Sequence, residues 1–459
     1  MTHSKQAARE FARQNREQFL TQLKEFVSIP SVSTDPDCKP DMSRAAAWVA
    51  AQLKTLGIEK VDILPTTGHP IVYGEWLGAP GKPTVLVYGH YDVQPADPLE
   101  LWHSAPFSPE VRGENLYGRG ASDMKGQVMA VLNALRAVKE TSGSFPVNLK
   151  FLIEGEEEIG SPSLPKFLEQ YRNQLQADFC LNPDSGMIGA EHPTITYGLR
   201  GIMTFELRIS GPKSDLHSGI YGGVVHNPAV ALAELIAGMH DANGRVTLPG
   251  FYDDVVPISE AEHADFARLP LDEAYYLAQT GVPALWGEPE YLPDERVGAR
   301  PTLEVNGLLS GFTGTGFKTV LPAQAMAKLS CRLVPNQNPA KIAAGLRQYL
   351  EQHAPPTIRW ELQAFGGSPA SISDVNQPGV KALSQALEAV WGTRPFFKRE
   401  GGSVPVVAQM QSLLGIESVI TGFGLPDDNL HAPNEKLHLP TWYRGIEAMV
   451  EFLFNIGHS

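Results

Sequence analysis

Short apolar runs that end in glycine and then in acids or histidine recur along the chain, separated by stretches with helical periodicity. Residues 84–92 read TVLVYGHYD, and residues 147–161 read VNLKFLIEGEEEIGS. Between them, QVMAVLNALRAVKE at 127–140 spaces its apolar residues as a buried helix does. ADFCLNPD (177–184) and ESVITGFG (417–424) repeat the strand pattern, while LPKFLEQYRNQL and QPGVKALSQALEAVWG repeat the helical one. The alternation predicts an α/β domain with a mainly parallel central sheet flanked by helices. Ligands of such sheets bind beyond the carboxyl ends of the strands, where each of these polar tails falls.

From about Tyr197 to Ala370 the pattern changes. TITYGLRGIMTFELRISG and TIRWELQAFGGSPA alternate as amphipathic strands, with helices at NPAVALAELIAGMH and PAKIAAGLRQYL. The α/β pattern resumes after about Gln377. The expected organisation is therefore a discontinuous catalytic domain over 1–198 and 372–459, interrupted by an α+β domain over 199–371. Residues 251–300 form a Pro-rich and acid-rich insert to which the pattern assigns no element. At the start of the chain, Phe19, Leu20, Leu23, Phe26 and Val27 fall on one helical face, which predicts an amphipathic helix belonging to the fold rather than a signal segment.

Composition narrows the function classes. A chain of 459 residues exceeds one ordinary core, and its 42% hydrophobic and 19% charged residues are those of a globular protein. The net charge of -14 disfavours a nucleic-acid partner, which needs concentrated Lys and Arg. No apolar run approaches the ~20 residues that span a bilayer, so no membrane partner is expected. Cys38, Cys180 and Cys331 are far apart and odd in number, which points to reduced thiols and a cytoplasmic location.

The chemistry lies in the polar tails. In an extended segment His90 and Asp92 project to one side, so one can bind a metal while the other orients it. Asp123 sits where the glycine-rich YGRGASDMKG enters a helix. Glu154, Glu156, Glu157 and Glu158 place four carboxylates in five positions, which repel unless solvated or neutralised by cations. Asp184 and His431 follow two further strands. Each has a plain structural reading when taken singly: a loop pair, a helix-start acid, a solvated acidic loop. Their recurrence at successive strand ends argues for convergence. A set of His and carboxylate ligands suits zinc or manganese. Two dications about 3.5–4 Å apart polarise a carbonyl and lower the pKa of a shared water, whose proton a nearby carboxylate takes and returns to the leaving amine.

The motifs GHYDVQP, YGRGASDMKG, EGEEEIGS, NPD, DLHSG, REGGSVP and NLHAPNEK, in that order, resemble the co-catalytic metallopeptidases. That family includes cytosolic dipeptidases, carnosinases, carboxypeptidase G, aminoacylases and desuccinylases. The resemblance implies His90, Asp123, Glu158, Asp184 and His431 as ligands of two divalent ions, zinc or alternatively manganese, with Asp123 bridging. It implies a bridging hydroxide as nucleophile, Glu157 as general base and Asp92 as the residue that orients His90. Spacing alone does not choose Glu157, because in an extended run Glu156 and Glu158 share a side. The inserted domain resembles the family's lid and dimerisation domain. By that likeness a homodimer is expected, with His217 donated across the interface to the partner's site and Thr319, Arg332 and Ser403 holding the substrate.

The insert FYDDVVPISEAEHADFARLP resembles the cytosolic dipeptidase and carnosinase branch. Dipeptides or short peptides with a free carboxylate are the expected substrates. A deacylase of the same family acting on N-acyl amino acids is the alternative, and a catalytically dead scaffold that keeps its lid is the reading from another class.

Overall fold

The run at 84–92 becomes the strand Thr84–His90, which is buried from Val85 to His90, and 147–161 begins with Asn148–Glu154, buried at every position. Such strands have both faces covered, as a parallel sheet centre requires. The computed structural model describes residues 2–458. In it, Asn148–Glu154, Thr84–His90, Phe179–Asn182 and Ser418–Ile420 lie side by side and parallel. These central strands form the parallel part of the sheet. Ile71–Trp76 and then Lys60–Leu64 add antiparallel on one side, and Thr194–Leu199 pairs antiparallel with Ser418–Ile420 on the other, so the sheet is mixed.

The helix read at 127–140 spans Gln127–Ser142 and is stopped by Gly143 in the left-handed region (φ 72°). It buries Val128, Met129, Val131, Leu132, Leu135 and Val138 on several faces, which identifies it as a central helix rather than a surface one. Each fully buried Leu or Val contributes on the order of 1.5–3 kcal/mol. The amphipathic N-terminal segment forms Arg16–Val27 and buries Phe19, Leu23, Phe26 and Val27. A further helix, Thr2–Gln14, precedes it.

The chain divides into two compact units with separate cores. One comprises Met1–Tyr197, Ser373–Lys398 and Gln409–Ser459, the other Gly198–Ile372 and Arg399–Ala408. The expected boundaries left 399–408 with the catalytic domain. Local hydrogen bonds account for the difference: the Arg200 N–H donates to Glu400 O at 3.3 Å and Arg200 Nε to Gly401 O at 3.0 Å. Arg200 also divides the single strand read at TITYGLRGIMTFELRISG into Thr194–Leu199 and Gly201–Ser210.

The second unit is built on a four-stranded antiparallel sheet ordered Thr302–Ser310, Gln324–Leu333, Gly201–Ser210, Arg359–Ser368. Alternation sends Met203, Phe205, Leu207, Ile209, Leu329 and Leu333 to a face packed with the helices Pro228–Ala237 and Pro339–His353. Each of these helices starts on an Asn cap followed by Pro, Asn227 and Asn338, the combination favoured at helix starts. The insert at 251–300 contains the short helices Glu260–Phe266, Glu273–Thr280 and Pro293–Gly298. Ser259 and Glu262 form a capping box on the first, and Asp272 caps the second.

The first unit closes on itself through charge. Thr2–Gln14 meets the last helix, Leu439–His458, where Glu447 (side chain 6% exposed) accepts from Arg9 Nη2 at 3.0 Å and Arg13 Nη2 at 2.7 Å. Burial works to raise the Glu447 carboxyl, and the hydrogen bonds from Arg13 and Arg9 overcome it, holding the group below the usual range. A depressed carboxyl stabilises the fold fully above its unfolded pKa of about 4.3, and that contribution disappears as pH falls through the folded value. Glu447→Gln is therefore expected to cost about 2 kcal/mol at pH 7, read from urea unfolding. The gap to the unsubstituted protein closes below about pH 4.

Candidate metal centre

His90 ends its strand with its side chain fully buried. Its Nδ1 lies 3.0 Å from the main-chain oxygen of Asp92 and 3.4 Å from the Asp92 carboxylate. This fixes the ring so that Nε2 faces Asp123 Oδ1 at 3.3 Å and Asp184 Oδ2 at 4.0 Å. Nε2 is buried with no hydrogen-bond partner. On the other side of Asp123, Oδ2 meets His431 Nε2 at 2.9 Å, and the same nitrogen lies 3.3 Å from Glu158 Oε2. The two oxygens of Asp123 thus face two different histidines, each of which also lies near a second carboxylate. His431 is exposed and adopts a left-handed backbone (φ 59°).

The acidic run does not stay extended. The strand stops at Glu154, and Glu157–Ile159 turns as a short 3-10 helix. That turn separates the four glutamates into two jobs. Glu154 accepts from Tyr88 Oη and Ser161 Oγ, both at 2.9 Å. Glu156 accepts the N–H groups of His69 at 2.9 Å and Ser163 at 3.0 Å. Glu157 and Glu158 are left for the site, and their own N–H groups donate to the Asp92 carboxylate at 3.3 and 3.1 Å. The main-chain oxygen of Asp92 therefore holds the ring, while its carboxylate holds the glutamate turn.

Ligand atoms of His90, Asp123 and Glu158 lie within 4.8 Å of one another, as do those of His90, Glu157 and Asp184. The electrostatics follow from crowding. Burial, with the Asp123 charge adding, pushes the Glu158 and Asp184 carboxyls up to about 8. Burial likewise raises Glu157. Asp123 goes the other way: burial opposes its ionisation, but the hydrogen bond with His431 and then the neighbouring His90 hold it below the usual range. Those contacts raise His431 to about 9, the Asp123 hydrogen bond acting most strongly. A cluster of buried carboxylates facing an unpartnered imidazole nitrogen is stable with cations between them, so this donor set fits divalent metal.

Two supporting residues were not singled out in the sequence, although both lie inside quoted motifs. Gln94 in GHYDVQP donates from Nε2 to Glu158 Oε2 at 2.7 Å. Glu435 in NLHAPNEK is fully buried and takes four donors: Gly120 N and Arg119 Nη1 at 2.8 Å, Ser122 N at 3.0 Å and Asp123 N at 3.1 Å. The loop it grips needs Gly120, which has φ 83° and where a Cβ would meet Val93 Cγ1 at 2.4 Å. The signal for Glu435 was its place four residues beyond His431 in the same motif. Of the other expected residues, His217 is exposed and caps the helix Ser218–Tyr221, accepting from Gly219 N at 3.0 Å. Thr319 is exposed. Arg332 Nη1 donates to Ser403 Oγ at 2.9 Å, which brings those two together within the second unit.

The model of peptidase family M20/M25/M40 matches residues 86–455. The chain belongs to that family. It is 32% identical to the Cys-Gly metallodipeptidase of Schizosaccharomyces pombe over 96% of both chains. It is 31% identical to the Beta-Ala-His dipeptidase of Homo sapiens over 96% of this chain and 91% of that one. Among solved structures, an M20 family metallo-carboxypeptidase from Sulfolobus solfataricus matches with 34% identity and a TM-score of 0.84, covering 96% of this chain and 99% of that one. The M20/M25/M40 chain is thus a metallopeptidase that matches the dipeptidase and carnosinase branch.

Glu435→Gln removes the negative charge that gathers the Asp123 loop. It is expected to weaken divalent-cation binding about 10–100-fold, measured by competition with a chelator, while the circular dichroism of the fold is retained.

Proposed function

We propose that this chain hydrolyses the peptide bond of dipeptides in the cytoplasm, using two divalent cations, zinc or alternatively manganese. The observation that carries the reading is the split of Asp123, whose Oδ1 faces His90, itself 4.0 Å from Asp184, while Oδ2 faces His431, itself 3.3 Å from Glu158. In this reading His90 and Asp184 would hold one cation, Glu158 and His431 the other, and Asp123 would serve both. Bound there, the cations would polarise the scissile carbonyl and acidify the attacking water. Glu157 takes the proton of that water and delivers it to the leaving amine. Supporting this role, it shares the cluster with His90 and Asp184, and Asp92 fixes its N–H. Three unpaired cysteines support a reducing compartment, and none of the described helices is long and apolar enough to cross a membrane.

The first unit, with the residues that resemble the family's catalytic domain, is the proposed catalytic body, and the second unit the lid and dimerisation domain. Arg332, Ser403 and Thr319 are proposed to take the substrate's C-terminal carboxylate, a bidentate task suited to a guanidinium. His217 is proposed to act in the partner subunit's site, stabilising the oxyanion of the tetrahedral state. Relatives named for Cys-Gly and Beta-Ala-His dipeptides favour dipeptides as substrates. The likeness to a metallo-carboxypeptidase favours a second reading, removal of a C-terminal residue from acylated or longer substrates. A panel of dipeptides beside their N-acetyl forms separates the two. Cleavage of the free dipeptides supports the first reading, and cleavage of acylated compounds alone refutes it.

Glu157→Gln is expected to retain both metals by elemental analysis and lose about 10²–10⁴-fold in kcat. His217→Ala is expected to stay dimeric with much reduced activity. Mixing and exchanging these two inactive variants should restore turnover, since a mixed dimer rebuilds one complete site. Absence of rescue in exchanged dimers counts against donation across the interface.

A further inference from the structure

The polar face of the second unit's sheet bears an arginine pair that the proposed chemistry only half employs. Register sets Arg332 opposite Ile202 on one neighbour and Thr302 on the other. Arg200 sits in the break just before the strand Gly201–Ser210, near enough to Arg332 for the two charges to act on each other. Both line a cavity of about 370 Å³ that also carries Arg296, Arg300, Glu288 and Glu304.

The charges there do not balance. Glu288 is committed to Arg300, with contacts of 2.6 Å to Nε and 2.8 Å to Nη2. Arg296 spends its Nε on Tyr291 O at 2.9 Å. Arg200 gives Nε to Gly401 O at 3.0 Å and Nη1 to Arg300 O at 3.4 Å, and Arg332 gives Nη1 to Ser403 Oγ at 2.9 Å. These partners are neutral. Among the described residues neither Arg200 nor Arg332 makes an ion pair with a carboxylate, although Glu304 and Glu400 are near enough for Arg200 to feel them. Burial and then the Arg332 charge push Arg200 down to about 10, and burial lowers Arg332. A guanidinium stays charged in proteins, so with Glu288 committed to Arg300, Arg200 and Arg332 against the single further carboxylate of Glu304 leave the lining positive and favour an anionic occupant. The volume lies at the lower end of the ~300–1,000 Å³ range of small-molecule pockets. With the chain as a whole at -14, attraction for an anion has to be supplied locally.

We infer that this cavity is a receptor for two carboxylates and selects substrates whose C-terminal residue is itself acidic, glutamate or aspartate. The inference rests on the dipeptidase reading, in which Arg332 takes the α-carboxylate; Arg200 takes that of the side chain. Ala-Glu and Ala-Gln differ in that charge at nearly equal size. A site built around a charge rejects the uncharged analogue, because its own buried groups are then left unpaired.

The test compares Ala-Glu with Ala-Gln on the metal-loaded enzyme and, in parallel, titrates free glutamate and glutamine into it by calorimetry. The expected result is a kcat/KM at least about tenfold higher for Ala-Glu, carried mainly by KM, and tighter binding of glutamate. Arg200→Met should bring both ratios close to one, and Arg200→Lys should keep part of the preference. Equal kcat/KM for the two dipeptides together with equal binding of the two amino acids overturns the inference while leaving the dipeptidase reading intact. If no dipeptide is cleaved yet glutamate binds in an Arg200-dependent way, the dipeptidase reading fails and the receptor stands. Should Arg200→Met not fold, the two ratios in the unsubstituted enzyme and Arg200→Lys decide.

Discussion

Asp123, Glu157, Glu158 and Asp184 bring four carboxylates to one end of a sheet whose interior offers them little water, and the His90 ring is buried among them. At an effective dielectric of about 20, like charges 4 Å apart repel by about 4 kcal/mol, so the arrangement cannot persist with all four ionised and nothing between them. The fold meets this in two ways. It gathers the cluster from three separate segments, the loop of Asp123, the turn of Glu157 and Glu158 after one central strand and the end of another at Asp184, each held by its own surroundings. It also leaves one imidazole nitrogen without a partner, which invites a cation.

Holding those segments falls largely to other acids. The carboxylate of Asp92 receives the N–H groups of Glu157 and Glu158, that of Glu156 receives His69 and Ser163, and that of Glu435 gathers the Asp123 loop. Main-chain N–H groups cannot neutralise a charge as a lysine would, but they fix direction, because each donor has a set position on the backbone. The acidic character of the motifs therefore has two sources: acids that face the reaction and acids that fix the loops bearing them.

The strand ends were legible because a parallel centre needs apolar runs that stop abruptly, and His90, Asp184 and His431 follow from that pattern with the family likeness, whereas Asp123, at a glycine-rich entry to a helix, follows from the likeness. The choice among Glu154, Glu156, Glu157 and Glu158 was not. Extended geometry pairs Glu156 with Glu158, whereas the chain turns after Glu156 and puts Glu157 beside Glu158. Whether a strand continues through polar residues depends on partners such as Asp92, distant in sequence. Glu435 stayed hidden for a related reason, since its donors lie more than three hundred residues away. The helices at 260–298 escaped periodicity because they are short, and the first two begin on side-chain caps rather than on an apolar stripe.

The second unit is not one uninterrupted insertion. It owns Gly198–Ile372 and also Arg399–Ala408, so the chain passes between units four times. Recombination that moved residues 198–372 as a cassette would carry Arg200 and Arg332 away from Gly401 and Ser403, their hydrogen-bond partners. Exchange of this unit between related genes therefore has to carry two separated stretches together, a linkage that favours inheritance of the substrate pocket with the catalytic body instead of free shuffling.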